Sequence, residues 1–214
     1  MTEQGTGERL NAALVEAGLE PLDEQATAKF AMYVSLILRW SARLNLTSAR
    51  TEDAIISRHL AESIACAMAL PLGVATLLDY GSGAGFPGIP IAICRPEIAV
   101  ILAESQGKKA AFLQEAARVL GNSSKVCAAR AETLRTAFDF VVLRAVDRMP
   151  EAVAAAAKLV APAGFLAVMT TDVDLPGLQA AAGVEFSWNV PMRLPFASQR
   201  IVAFGTRRPV AIAG

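Results

Sequence analysis

The first seventy residues carry apolar side chains at helical spacing. From Leu22 onward the apolar positions step by three and four, which predicts one amphipathic helix of about five or six turns. The residues of that stripe are Phe30, Tyr33, Ile37, Trp40 and Leu44. A shorter helix is predicted over Leu10 to Ala17, and another between Ile55 and Ala67. We therefore expect residues 1–70 to form a helical extension that packs on the core.

Beyond residue 70 the pattern changes to short apolar runs separated by helical stretches. The runs predict buried strands over 75–80, 98–103, 125–128, 138–143 and 165–169. Helices are predicted over 88–94, 106–120, 146–160 and 175–182, and extended segments near 186–190 and 200–204. Strands that alternate with helices indicate an α/β fold with a mostly parallel, doubly wound, Rossmann-like sheet. We expect residues 71–214 to form this core, within a single folding unit.

Composition bears on where the protein works. Apolar residues make up 54% of the 214-residue chain, but charged residues and prolines break every long apolar run. No run reaches the roughly 18 to 20 residues that a membrane span requires. The first residues carry two acids and no apolar core, unlike a signal peptide. We expect a cytoplasmic monomer that has no membrane partner.

The charge balance and the cysteines exclude other kinds of site. Twenty basic residues offset twenty acidic ones, so any contact with nucleic acid must be local rather than driven by an overall positive field. The three cysteines, Cys66, Cys94 and Cys127, are far apart and form no C-x-x-C pair. We expect them to be reduced and buried, with neither a disulfide nor a metal site.

A glycine-rich loop follows the first predicted strand, with glycines at Gly81, Gly83, Gly85 and Gly88. Glycines at this place allow positive φ and let the main chain approach a nucleotide closely. Asp79 ends the strand, so we expect its carboxylate to point into the crevice where open α/β sheets bind ligands. The pattern Asp-x-Gly-x-Gly-x-Gly resembles the first motif of S-adenosylmethionine-dependent methyltransferases. The same glycines also satisfy the dinucleotide pattern G-x-G-x-x-G, and a turn without a ligand remains an alternative.

Later strand ends supply further candidate ligands. Glu104 lies 23 positions after Gly81, where doubly wound folds place an acid on the ribose hydroxyls, although a solvated acid would give the same pattern. The loop after the third strand lies beside the base of a bound nucleoside in this architecture. Ala131 and Glu132 are therefore candidates for contacting adenine.

Several basic residues also lie at positions suited to ligands. Lys108 and Lys109 fall in the first turns of a predicted helix, where they oppose the helix dipole unless an anion is near; two solvated lysines are the alternative. His59 is the chain's one histidine, and a lone histidine is usually structural. Arg144 follows a buried strand, so its guanidinium needs partners. These are either a structural carboxylate, such as Asp79 or Asp139, or the cofactor and RNA.

Five segments are more specific than the glycine loop alone. In chain order they are 33–48, ending Trp40-Ser-Ala-Arg-Leu-Asn45-Leu46-Thr47-Ser48; Arg58-His59-Leu60 with Glu62-Ser63; Gly81-Ser-Gly-Ala-Gly-Phe86-Pro87-Gly88-Ile89-Pro90; Glu104-Ser105 with Lys108-Lys109; and Phe138-Asp139 leading to Arg144-Ala145. Through these segments most of the chain resembles the guanine-N(7) methyltransferases of bacterial small-subunit (16S) ribosomal RNA, long called glucose-inhibited division protein B.

The resemblance implies a methyltransferase fold, S-adenosyl-L-methionine as cofactor, and 16S rRNA or the small ribosomal subunit as partner. In the family, the positions matching Gly81, Phe86, Ala131, Glu132 and Arg144 contact the cofactor. To this cofactor set we add Asp79, Gly83, Gly85 and Glu104. We assign Arg58, His59, Lys108, Lys109 and Arg200 to RNA binding. The chain departs from the family after the fifth strand, where Thr170-Thr171 replaces a usual Lys-Gly pair.

The resemblance also implies a mechanism. Nitrogen 7 of guanine has a free lone pair and no proton, so its methylation is an in-line displacement that needs no general base. We therefore expect no catalytic side chain, and a rate that comes from positioning the two reactants. Two other functions remain open at this point. They are a methyltransferase for a small molecule, disfavoured by the lysine pair and the N-terminal helices, and a non-catalytic RNA-binding module, disfavoured by the intact glycine motif.

Overall fold

The computed structural model of the chain describes residues 3–209, and it opens with two helices. Helix α1 spans Glu3–Glu16 and helix α2 spans Glu24–Ser41. The first helix begins earlier than the predicted Leu10, because its polar first turns show no apolar period. The second begins after Asp23, whose carboxylate accepts the backbone N–H of Ala26 at 2.7 Å as an N-cap.

The third helical segment of the chain is not uniform. It consists of α3 (Glu52–Ile55), a π-helical turn (Ile56–Leu60) and α4 (Ala61–Met68). The apolar period predicts the segment as one helix but does not reveal the widened turn. Such turns occur frequently at functional sites, and this one carries Arg58 and His59.

An alternating core follows the helices. Its first half contains β1 (Thr76–Tyr80), α5 (Gly88–Cys94), β2 (Ala99–Ala103), α6 (Gly107–Leu120), β3 (Lys125–Cys127), a 3-10 turn (Ala131–Thr133) and β4 (Phe138–Arg144). Its second half contains α7 (Met149–Ala157), β5 (Val160–Thr171), α8 (Leu175–Ala182), β6 (Phe186–Trp188), β7 (Met192–Arg193) and β8 (Arg200–Arg207).

The strands form one sheet in the order β3-β2-β1-β4-β5-β8-β6, with β7 also paired to β8. Strands β1 to β5 are parallel to one another, while β8 runs antiparallel to β5, β6 and β7. The predicted fold class, a mostly parallel doubly wound α/β sheet, is confirmed. The strand order reverses between β1 and β4, and ligands bind at such a switch point in open α/β sheets.

Two predicted boundaries in the second half are wrong. Helix α7 starts at Met149 rather than at 146, because Ala145 and Arg148 both adopt left-handed backbone conformations with φ of 50°. Strand β5 starts at Val160 and includes the turn that is predicted to precede it. Its end pairs with β8, so that Thr171 lies opposite Arg200.

The N-terminal helices share an apolar core with the sheet. Phe30 and Tyr33 of α2 belong to one buried cluster with Leu77 of β1, Leu102 of β2 and Phe112 of α6. Because the N-terminal helices and the sheet share this core, the packing marks no boundary at residue 70, and the division of the chain there stays a prediction. Within residues 3–209 no helix is long and apolar enough to cross a membrane.

Candidate active site

A cleft of about 820 Å³ opens at the carboxyl ends of the strands, beside the switch point between β1 and β4. Most of the residues that the sequence singled out line it: Gly81, Gly83, Phe86, Glu104, Ala131, Glu132, Arg144, Arg58, His59, Lys109 and Arg200. Asp79, Gly85 and Lys108 are not among its lining residues. Its volume lies within the range of ordinary cofactor pockets, roughly 300 to 1,000 Å³.

The glycine loop forms the floor of the cleft. Gly81, Gly83 and Gly85 all have positive φ, at 73°, 57° and 90°. A side chain on Gly83 would meet nothing nearer than the carbonyl oxygen of Gly81 at 3.9 Å, so it would project into open cleft space. A side chain on Gly81 would instead meet Val146 Cγ2 at 2.9 Å. The loop thus leaves room for a ligand at Gly83 while Gly81 packs against the chain after β4.

Gly85 has a different role, because it packs away from the cleft. A Cβ atom at this position would run into Ile89 and would lie 2.8 Å from the hydroxyl oxygen of Tyr33. That hydroxyl donates a hydrogen bond to the carbonyl oxygen of Ala84 at 2.5 Å. Helix α2 therefore supports the outer side of the glycine loop through Tyr33, a residue that the sequence indicated only as part of the apolar stripe.

Asp79 does not point into the crevice, and that expectation is wrong. Its side chain is buried beneath the loop, where Oδ2 accepts the backbone N–H of Gly88 at 3.1 Å. The carboxylate faces inward because Gly88, which starts α5, packs directly against it. Burial raises the pKa of Asp79 to about 7, against hydrogen bonds from Ser82 and Gly88 that lower it. Asp79 shapes the loop from below.

Glu104 lies at the cleft with its carboxylate oriented by the main chain. Its Oε2 accepts the N–H of Gly83 at 3.0 Å, and its Oε1 accepts the N–H of Gln106 at 2.7 Å. The side chain is 7% exposed, which is incompatible with a freely solvated acid. Each oxygen keeps a second lone pair, so the carboxylate can still accept a hydrogen bond from a ribose hydroxyl.

The loop after β3 brings Ala131 and Glu132 to the cleft as predicted. Ala131 is buried, and the exposed carboxylate of Glu132 lies close enough to the hydroxyl of Tyr80, at the end of β1, to interact with it electrostatically. Burial and this carboxylate raise the pKa of Tyr80. Tyr80 also lines the cleft, so the adenine side of the predicted site has an aromatic wall that the sequence did not assign.

The partner of Arg144 is Glu62, not Asp79 or Asp139. Arg144 Nη2 donates to Glu62 Oε2 at 2.6 Å and to the carbonyl oxygen of Arg58 at 2.9 Å. Asp139 is occupied elsewhere, because its Oδ2 accepts the N–H and hydroxyl of Thr76 at 2.9 and 3.0 Å. Glu62 lies within one of the specific segments of the sequence, but no role was predicted for it. Its pairing joins residues 82 positions apart, which no local pattern shows.

His59 is held on both ring nitrogens. Its Nδ1 lies 3.1 Å from Arg144 Nη2, which can only donate, so Nε2 carries the ring proton and donates to Thr47 Oγ1 at 2.5 Å. Burial, followed by the charge of Arg144, lowers the pKa of His59 to about 3. The imidazole is therefore neutral at physiological pH and forms a fixed part of the wall.

The lining of the cleft contains six arginine and lysine side chains, called the basic rim below, and six acidic side chains. Arg58, Lys109 and Arg200 line it as predicted, whereas Lys108 is exposed outside it. The structure adds Arg130 and Arg148 to this rim, both exposed. Arg130 comes directly before Ala131 and Glu132, which the sequence predicts to contact the base, so its place at the cleft could have been predicted. Arg148 gave no such signal, since its place at the cleft follows from the left-handed turn before α7.

The arrangement fits a nucleoside joined to a charged amino acid. Open space above Gly83, the oriented acid Glu104 and the Tyr80 and Ala131 side lie within one cleft. Unlike a dinucleotide, such a ligand carries no pyrophosphate, so it needs no pyrophosphate site in the cleft. The cleft can therefore hold S-adenosylmethionine along β1 and β2, and it leaves Arg148 and Arg200, beyond β4 and at β8, for an anionic substrate.

Comparison with known sequences gives a consistent result. A family model described as GidB, rRNA small subunit methyltransferase G, matches residues 26–189. A ribosomal RNA small subunit methyltransferase G of Xanthomonas oryzae pv. oryzae is 40% identical over 163 residues, which cover 74% of this chain and 76% of the relative. The protein of the same name from a Roseiflexus species is 43% identical over 135 residues, covering 60% of this chain and 58% of the relative.

Solved structures are similar in fold at low sequence identity. The 16S rRNA N2 G1207 methyltransferase of Thermus thermophilus, solved with AdoMet and guanosine, aligns with a TM-score of 0.54 at 17% identity, over 72% of this chain and 40% of that one. The mitomycin 7-O-methyltransferase MmcR aligns with a TM-score of 0.62 at 15% identity, over 95% of this chain and 67% of that one. These similarities show the methyltransferase fold alone.

Proposed function

Because the chain belongs to the rRNA small subunit methyltransferase G family, we propose that it methylates nitrogen 7 of one guanine in 16S rRNA. That it is an S-adenosylmethionine-dependent rRNA methyltransferase follows from the family. The atom, the base and the residues in the following paragraphs are the proposal. A small-molecule substrate and a non-catalytic role are set aside by the same family membership.

The state of His59 is the observation that carries the choice of nitrogen 7. The chain has one histidine, and in the cleft both of its ring nitrogens are hydrogen-bonded while its pKa is about 3. A general base for neutral pH needs a pKa near the working pH and a free lone pair. An exocyclic amine or a hydroxyl must lose a proton on methylation, but nitrogen 7 of guanine has none to lose. Since His59 cannot serve as that base, its state supports nitrogen 7 over atoms that would have to lose a proton to a histidine.

Binding and orientation are the work of the cleft residues. The backbone of Gly81 and Gly83 would form the floor under the cofactor, and Glu104 would accept hydrogen bonds from the hydroxyls of its ribose. Ala131 and Glu132 would contact the adenine of the bound cofactor, and Phe86 and Arg144 line the same cleft and would contribute to holding it. The cofactor supplies an electrophilic methyl group. Holding guanine in line with that methyl is worth roughly 7 to 11 kcal/mol of the barrier.

The basic rim holds the RNA. Arg58, Lys109 and Arg200, together with Arg130 and Arg148, are spaced around the mouth of the cleft, where they can neutralise phosphates on several sides of an entering strand. The target guanine must be accessible at its edge, and RNA offers such bases in single-stranded loops. Because the net charge of the chain is zero and acidic side chains also line the cleft, RNA phosphates would be held by direct contacts with these basic side chains rather than by an overall positive field.

Methyl transfer from labelled cofactor tests the proposal. The purified protein is incubated with unmodified small ribosomal subunits and, separately, with naked 16S rRNA, and the product is cleaved chemically at 7-methylguanine. We expect label in the RNA and cleavage at a single position. Label that appears without cleavage would move the methyl group to another atom, and absence of label on both substrates would contradict the activity.

A further inference from the structure

Glu62 is a buried carboxylate that joins two arginines of the cleft wall. It lies in the first turn of α4 with 0% of its side chain exposed. Its Oε2 accepts Arg144 Nη2 at 2.6 Å, and its Oε1 accepts Arg200 Nε at 2.5 Å. The two arginines come from the end of β4 and the start of β8, and both line the cleft. One carboxylate thereby sets the distance between two guanidinium groups.

The two arginines depend on Glu62 to different degrees. Arg144 is 11% exposed and has additional acceptors in the π-helical turn, namely the carbonyl oxygens of Arg58 and His59. Arg200 is 36% exposed, and in the part of the chain that the structure describes its side chain hydrogen-bonds Glu62 alone. Removing the carboxylate would therefore release Arg200 while Arg144 kept most of its contacts.

The cluster keeps a surplus of positive charge toward the cleft. Two guanidinium groups share one carboxylate, Arg58 is exposed beside them, and His59 is neutral. A buried ion pair is weak evidence for stability, because desolvation consumes most of the electrostatic gain. Burial raises the pKa of Glu62, although Arg144 and Arg200 oppose that rise. The arrangement is better explained by the anion that the two arginines can hold.

The position of Arg200 indicates which anion this is. In the sheet order, β8 lies two strands beyond β4, whereas the ribose and base side of the cleft lies along β1, β2 and the loop after β3. The carboxylate of the cofactor amino acid would lie near the switch point between β1 and β4. An anion that reaches both Arg144 and Arg200 therefore lies on the side where the RNA enters.

We propose that Glu62 is a positioning residue for methyl transfer, holding Arg144 and Arg200 so that together they clamp the RNA phosphate next to the target guanine. The proposal rests on the proposed function, since it assumes an RNA substrate in this cleft. Glu62 does not touch the reactants. It acts mainly through Arg200, which spends only Nε on Glu62 and keeps its two Nη groups for phosphate oxygens. The Nη groups of Arg144 are already engaged by Glu62 and the π-helical turn, so Arg144 contributes its positive charge rather than a free fork.

The test compares Glu62→Gln with a matched control, Glu52→Gln. Glu52 is also buried and pairs with an arginine, Arg9, but it lies in α3 outside the cleft. Single-turnover transfer to unmodified small ribosomal subunits is measured at saturating cofactor and RNA, together with RNA affinity and melting temperature. We expect Glu62→Gln to transfer at least about tenfold more slowly, because the phosphate is misplaced. Its RNA affinity should stay equal or rise, since a negative charge is lost.

Glu52→Gln should lower the melting temperature without changing the rate per folded molecule. The same result for Glu62→Gln would reduce Glu62 to a structural residue and overturn the proposal. If Glu62→Gln does not fold, Arg200→Gln at the partly exposed start of β8 replaces it, with the same slow transfer and unchanged cofactor affinity expected. Weakened cofactor binding in that variant would overturn the phosphate assignment.

Measuring 7-methylguanine formation by the wild-type protein distinguishes a failure of this proposal from a failure of the proposed function. If wild-type protein yields no 7-methylguanine, the proposed function fails before any variant is compared. If it does, and Glu62→Gln transfers at the wild-type rate, only the role of Glu62 fails. A double variant, Glu62→Gln with Arg200→Gln, should be no slower than either single variant, because both changes remove the same clamp.

Discussion

The imidazole ring of His59 stacks on the phenyl ring of Phe86, with the ring centroids 4.7 Å apart and the ring planes inclined by 19°. Phe86 belongs to the glycine loop and His59 to the π-helical turn, so the contact joins the floor of the cleft to its helical wall. Both ring nitrogens of His59 are hydrogen-bonded. The histidine thus serves as a flat, neutral support, and its chemistry near pH 7 is that of an aromatic residue.

The neutral state of His59 predicts that the rate of the chemical step hardly depends on pH. Single-turnover methyl transfer at saturating cofactor and RNA should change little between about pH 6 and 9, because no proton leaves nitrogen 7 and His59 stays neutral throughout. Rapid quenching at each pH measures the rate. A bell-shaped profile whose acidic limb disappears in His59→Gln would make His59 a base and defeat the mechanism.

Stability should depend on pH through His59 and Asp79 with opposite signs. The folded pKa of His59 is lowered to about 3, below the unfolded value of about 6.5, so the unfolded chain binds the proton first and stability falls as pH drops through this window. The folded pKa of Asp79 is raised to about 7, above the unfolded value of about 3.9. Its contribution is therefore present at low pH and is lost as pH rises toward 7.

Denaturant unfolding at several pH values separates the two contributions. Between about pH 4 and 6.5 they partly cancel in the wild type, each limited to about 1.4 kcal/mol per pH unit. His59→Gln should lose less stability than the wild type on acidification, and Asp79→Asn should lose less on a rise to pH 7. Parallel curves for all three proteins would show that neither group titrates as described.

Gly83→Val should remove cofactor binding without unfolding the protein. The new side chain enters open cleft space, and the left-handed backbone at φ of 57° adds a strain of about 1 to 2 kcal/mol. Gly121 has the same φ and open surroundings at the end of α6, so Gly121→Val carries the same strain away from the cleft. Calorimetry should find cofactor binding in the Gly121 variant only. Binding in both would remove Gly83 from the site.

Lys109 and Lys108 should differ in their effect on RNA binding. Lys109 lines the cleft and Lys108 does not, so Lys109→Ala should lower the slope of log affinity against log salt by about 0.7 to 0.9, the effect of one lost phosphate contact. Lys108→Ala should behave more like Lys158→Ala, a change at an exposed lysine at the end of α7. Equal slopes in all three variants would leave Lys109 as a solvated side chain.

Arg144→Lys should lower both stability and transfer. Lysine keeps the charge but cannot reach Glu62 and the two carbonyl oxygens of the π-helical turn at the same time, so buried acceptors lose their partners. We expect a lower melting temperature without ligand and at least about tenfold slower transfer, equivalent to about 1.4 kcal/mol. Both are measured on one preparation. Normal transfer in the folded fraction would take Arg144 out of the active site.

Elements with strong local signals could be predicted from the sequence. Helix α5 has the predicted bounds Gly88–Cys94, because Pro87 and Pro90 mark its first turn and its residues are apolar. The late start of α7 could not be predicted, since alanine and arginine rarely adopt the left-handed backbone seen at Ala145 and Arg148. Between them, Val146 packs closely against Gly81, a contact that is distant in sequence and that no local pattern shows.

The residues of the candidate site also divide into those that the sequence predicts and those that it does not. The glycine loop and Glu104 follow strand ends, so their place at the cleft follows from the fold class. The pairing of Arg144 with Glu62 does not, because it depends on how α4 packs across the ends of β4 and β8. The inward turn of Asp79 depends on the close approach of Gly88, which a spacing of residues cannot reveal.

The hydrogen bond from Tyr33 to Ala84 makes the catalytic core dependent on the segment that precedes it. A core cut at residue 71 and grafted onto another RNA-binding protein would keep all its glycines but lose the phenol that supports their outer side. Such a core would therefore not bind the cofactor independently of the protein it came from. A chimera of related enzymes would have to take α2 and the glycine loop from the same parent.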